Sequence, residues 1–251
     1  MTPILSNNYY VNFQSDAYLK LNEFISTYKP STLFILVDEN TNSHCLPILL
    51  QEIATPITIE IIEIESGEEN KNLETCTGVW NALTELGADR KSLILNLGGG
   101  VITDLGGFVA STFKRGIAFI NIPTTLLSMV DASVGGKTGV DLGVLKNQIG
   151  LFSDPEMVLI DSRYLETLPK RELRSGLAEI IKYGLTYDTK VWNNINEFKE
   201  LNINELVPLI YRSIEIKNEI TTKDPREAGL RKVLNFGHTL GHAIESYFLE
   251  A

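Results

Sequence analysis

The sequence predicts an α/β domain over residues 1–161 followed by an α-helical domain over residues 162–251. Three observations predict this. Short apolar runs alternate with stretches of helical periodicity as far as Ile160. A turn of three glycines joins one apolar run to a helical pattern, and beyond Asp161 the pattern is helical throughout. Strands that alternate with helices are typical of a parallel sheet covered by helices.

Composition limits the classes of function. The chain has 251 residues, enough for one large or two ordinary domains, and its net charge of -10 disfavours nucleic acid or an anionic membrane as a partner. Its start lacks a basic segment leading an apolar core, and no apolar run approaches the roughly 18 residues of a membrane helix, so we expect a soluble cytoplasmic enzyme. An anionic ligand must therefore meet a local cluster of lysine and arginine.

The two cysteines give no sign of a metal site or of a disulfide framework. Cys45 and Cys76 form no C-x-x-C motif and have no metal-ligand spacing. We expect reduced thiols with a structural role.

The first predicted strand is Ser31–Val37, a continuous apolar run that ends in Asp38. Such a run is typical of a strand that is covered on both faces. An acid at the carboxyl edge of the sheet is the usual partner of a ribose hydroxyl. It is equally suited to capping the helix that follows, and both interpretations remain open.

A second strand, Ile57–Ile64, leads through a Ser-Gly turn into a helix that ends near Leu86. Glu68 and Lys71 lie three residues apart at the predicted start of this helix and so share one face. A surface pair at this spacing is more often solvated than functional.

The glycine turn lies within Leu93–Gly107, which predicts a strand, a loop and a helix. Gly98–Gly100 lack Cβ atoms, so a ligand can approach their backbone, and the following helix directs its N–H groups and positive dipole end at the same place. The turn suits an anion such as a pyrophosphate. A purely structural turn is the alternative, because the spacing is not G-x-G-x-x-G.

Another strand, Ile117–Ile122, ends before the hydroxyls of Thr124 and Thr125, and a glycine-rich segment then covers residues 130–150. Its Gly-Lys-Thr resembles the end of a Walker A loop, but Asp131 occupies the place of the first glycine, so that interpretation fails. We expect a loop folded over a phosphorylated, hydroxylated ligand. Its candidate ligand-binding residues are Asp131, Lys137, Lys146 and Asn147.

The last strand is Met157–Ile160, and helical patterns follow from Leu165. Further helices are predicted at Val191–Phe198 and Leu206–Thr221. In the first helical region Glu179 and Lys182 lie three residues apart. The carboxylate could be a buried ligand, and an exposed ion pair is the alternative.

Two of the three histidines lie close together near the end of the sequence. His238 and His242 are four residues apart, so on a helix both imidazoles face the same way and could bind one metal ion. Acid–base chemistry is a second use of such a pair. His44 has no such neighbour and is predicted to lie on the surface.

Five motifs in this order resemble the 3-dehydroquinate synthase family of sugar phosphate cyclases. They are GGGVITDLGGF, IPTTLLSMVDASVGGKTGV, LKNQIGLF, LRSGLAEIIKYG and LNFGHTLGHAIES. The resemblance runs from about Asp38 to the end of the sequence. It implies a Rossmann-like NAD-binding domain, then an α-helical metal-binding domain, with the active site between them.

The resemblance also implies the site residues. The implied NAD contacts are Asp38, Glu68, Lys71, Gly99, Gly100, Val101, Asp104, Thr124, Thr125, Lys137, Lys146, Tyr164 and Thr167. The implied binding and catalytic residues for a phosphorylated seven-carbon sugar acid are Arg115, Asp131, Lys137, Asn147, Lys182, Lys217, Glu227, Arg231, Asn235 and His242. Glu179 and His238 are the implied ligands of zinc or cobalt, and the family's third ligand is a histidine beyond Ala251, so we expect a C-terminally truncated sequence. His242 then lies beside the substrate phosphate and is not a metal ligand.

The implied reaction belongs to the shikimate pathway and involves no net oxidation. NAD+ takes a hydride from the C5 alcohol of the substrate, phosphate is eliminated, the hydride returns, and the ring closes as a carbocycle. A homodimer is also expected. Three alternatives remain: a sister cyclase that makes another carbocycle, an NAD-dependent polyol dehydrogenase, and a non-catalytic nucleotide-binding remnant.

Overall fold

The structure, a computed structural model, describes residues 1–196, 202–224, 227–241 and 244. Within them the strands are β1 Ile4–Ser6, β2 Tyr9–Phe13, β3 Leu33–Asp38, β4 Ile59–Ile64, β5 Leu93–Gly98, β6 Ala118–Pro123, β7 Lys137–Leu142, β8 Leu145–Phe152 and β9 Met157–Ile160. The helices are α1 Gln14–Tyr28, α2 Glu39–His44, α3 Leu46–Glu52, α4 Leu73–Glu85, α5 Gly100–Thr112, α6 Lys170–Thr186, α7 Thr189–Asn196 and α8 Ile203–Lys223. Segments of 3₁₀-helix cover Glu68–Asn70, Phe113–Arg115, Ser162–Thr167 and Leu230–Asn235, and a π-helical turn covers Ser128–Ala132.

Seven of these strands form one sheet in the order β1, β2, β9, β6, β5, β3, β4. β1 and β2 are antiparallel, and the other neighbouring strands are parallel. After β4 the chain returns to the opposite side of β3 to form β5, so the strand order reverses between β3 and β5. Open α/β sheets bind ligands outside the carboxyl ends of the strands at such a point.

The sheet is covered on both faces, as the continuous apolar run in β3 predicts. Leu33, Ile35 and Val37 belong to a buried cluster that also contains side chains of α1 and α3. Phe34 and Leu36 point the other way, into a second cluster with α4 and α5. The period of two along a strand therefore places one helical layer on each face.

Helix α5 packs unusually close to its neighbours because of two glycines. A Cβ atom at Gly106 would lie 2.1 Å from Oδ1 of Asn96, and one at Gly107 would lie 2.5 Å from Cγ2 of Thr138. Asn96 is itself held by donating from Nδ2 to Oδ1 of Asn121 at 2.9 Å. These contacts fix the helix that follows the glycine turn against both β5 and the β7–β8 hairpin.

The helical part packs directly on the α/β part. Ile180 and Tyr183 of α6 and Ile214 of α8 belong to the same buried cluster as strands of the central sheet. A Cβ atom at Gly176 would lie 2.5 Å from the backbone nitrogen of Leu127. The helices therefore lie against the segment that follows β6, and the domain boundary after residue 161 stays a prediction.

The five predicted strands are confirmed, and none of their predicted ends differs by more than two residues from the observed end. The helix predicted at Leu206–Thr221 lies within α8. The helix predicted at Val191–Phe198 overlaps α7 as far as Asn196, and its last two residues lie outside the described part. Cys45 and Cys76 are buried and free, and His44 is exposed, as expected. Among the described residues, none of the helices combines the length and the apolar character that a bilayer span requires.

Three sequence expectations are wrong. Residues 130–150 are not one loop, because they contain part of the π-helical turn and most of the antiparallel hairpin β7–β8. Helix α4 begins at Leu73, where Asn72 accepts a hydrogen bond from Thr75 at 2.9 Å, so Glu68 and Lys71 lie before it. Helix α6 begins after Pro169, and Leu165 lies in a 3₁₀ segment. In addition, the short strands β1 and β2 were not predicted.

Candidate active site

The glycine turn lies at the carboxyl end of β5, where the strand order reverses. Gly99 is the N-cap residue of α5, which has no side-chain cap and no acidic residue in its first turn. Gly99 and Gly100 are half-buried, and a Cβ atom at Gly99 would lie 3.0 Å from Cγ2 of Thr125. The first N–H groups of α5 therefore have no side-chain cap. Val101 lies in the first turn of this helix. Such a helix start suits an anion.

The polar residues that end β3 and β6 lie at the same edge. Asp38 accepts hydrogen bonds at Oδ1 from the backbone nitrogen of Thr41 at 2.7 Å and from its Oγ1 at 3.0 Å. The capping interpretation of Asp38 is therefore confirmed, and its contact with a ribose stays a prediction. The backbone N–H of Thr124 donates to the carbonyl of Gly98 at 2.9 Å, which joins β6 to the glycine turn.

Lys71 lies in a buried polar cluster beside α5. Its Nζ is 2.6 Å from Oδ2 of Asp104 and 2.8 Å from Oδ1 of Asn147, and Lys71 is only 4% exposed. Burial lowers the pKa of Lys71, but the charges of Asp104 and Glu68 outweigh it and raise the pKa above its ordinary value. The interpretation of Glu68 and Lys71 as a solvated surface pair is wrong for the lysine.

The β7–β8 hairpin brings Lys146 and Asn147 to this cluster. Nζ of Lys146 lies 3.2 Å from Oε1 of Glu68. Predicted nucleotide contacts from three different segments therefore come together: Glu68 and Lys71 before α4, Asp104 on α5, and Lys146 on the hairpin.

Asp131 lies in the π-helical turn next to the glycine turn, since Cβ of Ala132 is 3.5 Å from a Cβ position at Gly100. Its Oδ1 is 2.7 Å from Nζ of the buried Lys217, and Tyr183 donates to Oδ1 at 3.3 Å and to the carbonyl of Val130 at 3.0 Å. π-Helical turns are frequent at functional sites because they redirect side chains.

The charge of Asp131 is strongly stabilised. Burial by itself would raise the pKa of this carboxyl, but Lys217 and Lys182 overcome that effect and hold the pKa well below its usual range. Asp131 is therefore ionised at neutral pH, and its stabilising contribution depends on that ionisation.

We expect Asp131→Asn to reduce the free energy of unfolding by about 2 kcal/mol at pH 7, because Lys217 loses its charged partner. A carboxyl whose folded pKa is depressed stabilises the fold above its unfolded pKa of about 3.9, and that contribution is lost as the pH falls towards the folded pKa. Urea unfolding at pH 7 and pH 3 should therefore give a smaller difference between the two proteins at pH 3. A difference that stays constant over this range would contradict the assignment.

A third cluster of polar side chains joins the β7–β8 hairpin to the segment that follows α8. Lys137 at the start of β7 forms an ion pair with Glu227, and Nδ2 of Asn235 donates to the other oxygen of that carboxylate. Arg231 is 3% exposed, and its Nη2 donates to the carbonyl of Gly135 at 3.2 Å.

The two implied metal ligands lie next to each other. Nε2 of His238 is 3.3 Å from Oε1 of Glu179, and Lys182 forms an ion pair with the other oxygen of Glu179. The side chains of Glu179 and Lys182 are 14% and 6% exposed, so the exposed-pair alternative is wrong. No cluster of three histidine, cysteine or acidic side chains that could hold a metal ion occurs among the described residues.

Three predicted site residues are not brought into this arrangement. Arg115 follows the far end of α5, just before β6, and so lies near the opposite edge of the parallel strands. Tyr164 is 1% exposed, and its hydroxyl lies 3.0 Å from that of Tyr18. Thr167 is exposed at the end of its 3₁₀ segment, and His242 lies outside the described residues.

Three further residues contact this arrangement, and sequence reasoning did not find them. Tyr183 lies one helical turn after Glu179 on α6, a spacing that could have indicated a shared face. Tyr9 accepts a hydrogen bond from the backbone nitrogen of Gly135 at 3.0 Å, and nothing in its own segment indicates this contact. Asp141 lies in β7, where the sequence indicated a loop.

Comparisons with known proteins indicate the family of this chain. Residues 61–175 match the family model for the N-terminal part of 3-dehydroquinate synthase, and residues 176–250 match the model for its C-terminal part. A 3-dehydroquinate synthase from Parabacteroides distasonis is 46% identical over 229 residues, which cover 90% of this chain and 65% of the relative. One from Prochlorococcus marinus is 52% identical over 192 residues, covering 74% of this chain and 52% of the relative. The chain thus spans less than two thirds of the length of these two relatives.

Solved structures give the same answer for the fold. A 2-deoxy-scyllo-inosose synthase in complex with carbaglucose-6-phosphate, NAD+ and Co2+ matches with a TM-score of 0.85 at 25% identity, covering 97% of this chain and 70% of the other. A 2-epi-5-epi-valiolone synthase from Streptomyces hygroscopicus with NAD+ and Zn2+ bound has a TM-score of 0.84 at 28% identity, covering 98% and 70%. Two consecutive family models across residues 61–250, together with this architecture, lead to one conclusion: the chain belongs to the 3-dehydroquinate synthase family.

Proposed function

We propose that this chain functions as a 3-dehydroquinate synthase, which converts 3-deoxy-D-arabino-heptulosonate 7-phosphate to 3-dehydroquinate and phosphate in the shikimate pathway. The observation that carries the proposal is a group of buried cations in a chain with a net charge of -10. Each of them is at most 6% exposed: Lys71, Lys182, Lys217 and Arg231.

Three of these cations, Lys182, Lys217 and Arg231, lie close enough to influence one another. Burial lowers the pKa of Lys217, Asp131 opposes that effect, and the charges of Arg231 and Lys182 lower the pKa further. In the structure Asp104, Glu179 and Asp131 pair with Lys71, Lys182 and Lys217, and anionic groups of a ligand can share these cations. A substrate with both a phosphate and a carboxylate supplies such anions, whereas a simple polyol does not, which supports a cyclase over a polyol dehydrogenase.

The glycine turn fits the pyrophosphate of NAD+. Gly99 and Gly100 are half-buried and carry no side chains, and the first turn of α5 has no side-chain cap. In this proposal Lys71 and Lys146 bind near the nucleotide, and the second carboxylate oxygen of Asp38 is available for a ribose hydroxyl while Oδ1 caps α2.

Glu179 and His238 fit a divalent metal ion, because carboxylate oxygen and imidazole nitrogen are ordinary ligands of Zn2+. They are two of the three protein ligands that a catalytic zinc site normally has. When bound, NAD+ supplies reversible hydride transfer and zinc or cobalt supplies polarisation of the substrate alcohol.

The side chains of the chain have separate tasks in this proposal. Lys137, Lys182 and Arg231 bind the anionic groups of the substrate, and the Lys137–Glu227 ion pair opens when substrate arrives. Asp131, Asn147 and Asn235 form hydrogen bonds with its hydroxyls, with Lys217 holding Asp131 in place. Orientation by several fixed groups lets one site carry out successive steps.

Three further expectations belong to the same proposal. We place the NAD-binding domain in residues 1–161 and the metal- and substrate-binding domain in residues 162–251, and we expect a cytoplasmic homodimer that binds neither nucleic acid nor membranes. Sedimentation of the purified protein tests the dimer, and a monomer at micromolar concentration would contradict it.

A substrate comparison tests the proposed function. Protein expressed from the complete gene is incubated with NAD+ and Zn2+ and, in separate reactions, with 3-deoxy-D-arabino-heptulosonate 7-phosphate, glucose 6-phosphate or glycerol. We expect phosphate release from the first substrate alone. Release from glucose 6-phosphate instead would indicate a sister cyclase, steady NADH formation from glycerol would indicate a dehydrogenase, and no turnover of any substrate would indicate a non-catalytic protein.

A further inference from the structure

Asp141 occupies an irregular position in the β7–β8 hairpin. The pairing of the two strands shifts between Val140 and Leu142, so Asp141 lies at a bulge. Its backbone N–H points out of the hairpin and donates to the carbonyl of Lys71 at 2.9 Å. Bulges commonly redirect a side chain near a functional site. Here the bulge ties the hairpin to the segment before α4.

The carboxylate of Asp141 turns back towards the hairpin's own residues. Its Oδ1 accepts a hydrogen bond from the backbone nitrogen of Asn147 at 2.6 Å, and its Oδ2 lies 3.6 Å from Nζ of Lys146. Asn147 has a φ of 53°, in the left-handed region. A residue with a side chain stays in that region only where its surroundings hold it. The short, charge-assisted bond from Asp141 supplies that restraint.

These contacts close a ring. The backbone of Lys71 binds Asp141, the carboxylate of Asp141 binds the backbone of Asn147, and the side-chain amide of Asn147 binds the ammonium of Lys71 at 2.8 Å. Asp141 is 8% exposed and Lys71 is 4% exposed, so these two members are shielded from water, whereas Asn147 is exposed. The other two members of the ring, Lys71 and Asn147, are predicted ligand contacts.

We propose that Asp141 is a positioning residue: it holds Lys146 and Asn147 in the orientation that binds the nucleotide and the sugar phosphate, without touching either ligand. The inference rests on the proposed function, since it assigns Asp141 to that same site. It adds a residue that neither the glycine turn nor the metal ligands could indicate.

Two substitutions separate positioning from a general structural role. Asp141→Ala removes both carboxylate contacts, whereas Asp141→Asn keeps an oxygen that can accept from the N–H of Asn147 and loses the charge beside Lys146. Asp89→Ala is the matched control, because Asp89 accepts a backbone hydrogen bond from Lys91 at 2.8 Å in the turn before the amino end of β5, away from the site.

Three measurements are made on protein expressed from the complete gene: amide hydrogen exchange at Asn147, the dissociation constant for NAD+, and the thermal midpoint. For Asp141→Ala we expect at least about tenfold faster exchange and an NAD+ dissociation constant about 10- to 100-fold higher. Asp141→Asn should recover the exchange protection and part of the affinity. Asp89→Ala should lower the midpoint and leave exchange at Asn147 and NAD+ affinity unchanged.

Two results would overturn the inference. One is wild-type NAD+ affinity and wild-type exchange at Asn147 in Asp141→Ala. The other is an equal loss of NAD+ affinity in Asp89→Ala, which would indicate a general effect of stability. A wild-type protein that does not bind NAD+ at all would instead overturn the proposed function, so the two failures are distinguishable.

Discussion

Replacing Lys71 with alanine is expected to reduce the free energy of unfolding by about 3 kcal/mol, one of the two largest effects that the structure predicts. The side chain of Lys71 is 5% exposed, and its partner Asp104 is 19% exposed. Removing the lysine leaves a carboxylate with little water around it, and breaking a buried pair in this way typically costs about 3–5 kcal/mol. Because Asp104 is partly exposed, we expect a loss of stability at the lower end of this range.

The same substitution should also free Asn147, whose amide oxygen accepts from Lys71. Urea unfolding of the wild-type and Lys71→Ala proteins measures the loss. Lys20→Ala is the control, because Lys20 forms an exposed ion pair with Glu23 at 2.8 Å whose side chains are 53% and 66% exposed. Such a pair contributes less than about 1 kcal/mol. Equal stability losses in the two variants would contradict the buried cluster.

Replacing Glu179 with glutamine is expected to weaken Zn2+ binding by roughly two orders of magnitude or more, because a neutral amide replaces an anionic ligand. The carboxylate also balances Lys182 and lies 3.3 Å from His238, so its charge matters before any metal binds. Competition with a chromophoric chelator measures the affinity directly and does not depend on turnover.

Glu172→Gln provides the matched control for this experiment. Glu172 lies in the first turn of the same helix, α6, and is exposed. We expect its substitution to leave Zn2+ affinity within about twofold of the wild type, as is usual for surface changes. If Glu179→Gln bound Zn2+ as tightly as Glu172→Gln, the metal site would have to lie elsewhere.

The sequence predicted most strands of the central sheet, because β3, β5, β6 and β9 are buried and largely apolar. It could not predict the β7–β8 hairpin, because strand β8 is largely exposed to solvent. Strand β8 is LKNQIGLF, and most of its residues are exposed, so no apolar pattern indicates a strand. Strands β1 and β2 have only three and five residues, too few for a periodic pattern.

For the candidate site, too, the sequence could predict some features and not others. Spacing along one helix could suggest that Glu179 and Lys182 share a face, but it could not show that both are largely buried. The burial of Lys71 depends on Asp104 and Asn147, which are 33 and 76 residues away in the sequence. The family resemblance implied these residues before any contact between them was visible. It also implied Arg115 and Tyr164, which the structure does not bring into this arrangement.

The central claim of the proposal is that NAD+ takes a hydride from the substrate and returns it within one turnover. The most direct test supplies protein expressed from the complete gene with Zn2+, excess 3-deoxy-D-arabino-heptulosonate 7-phosphate and no more NAD+ than protein, and follows phosphate and NADH together. We predict many phosphates released per NAD+ with no lasting NADH. Phosphate release that stops after one equivalent of NAD+, with matching NADH accumulation, would contradict the account.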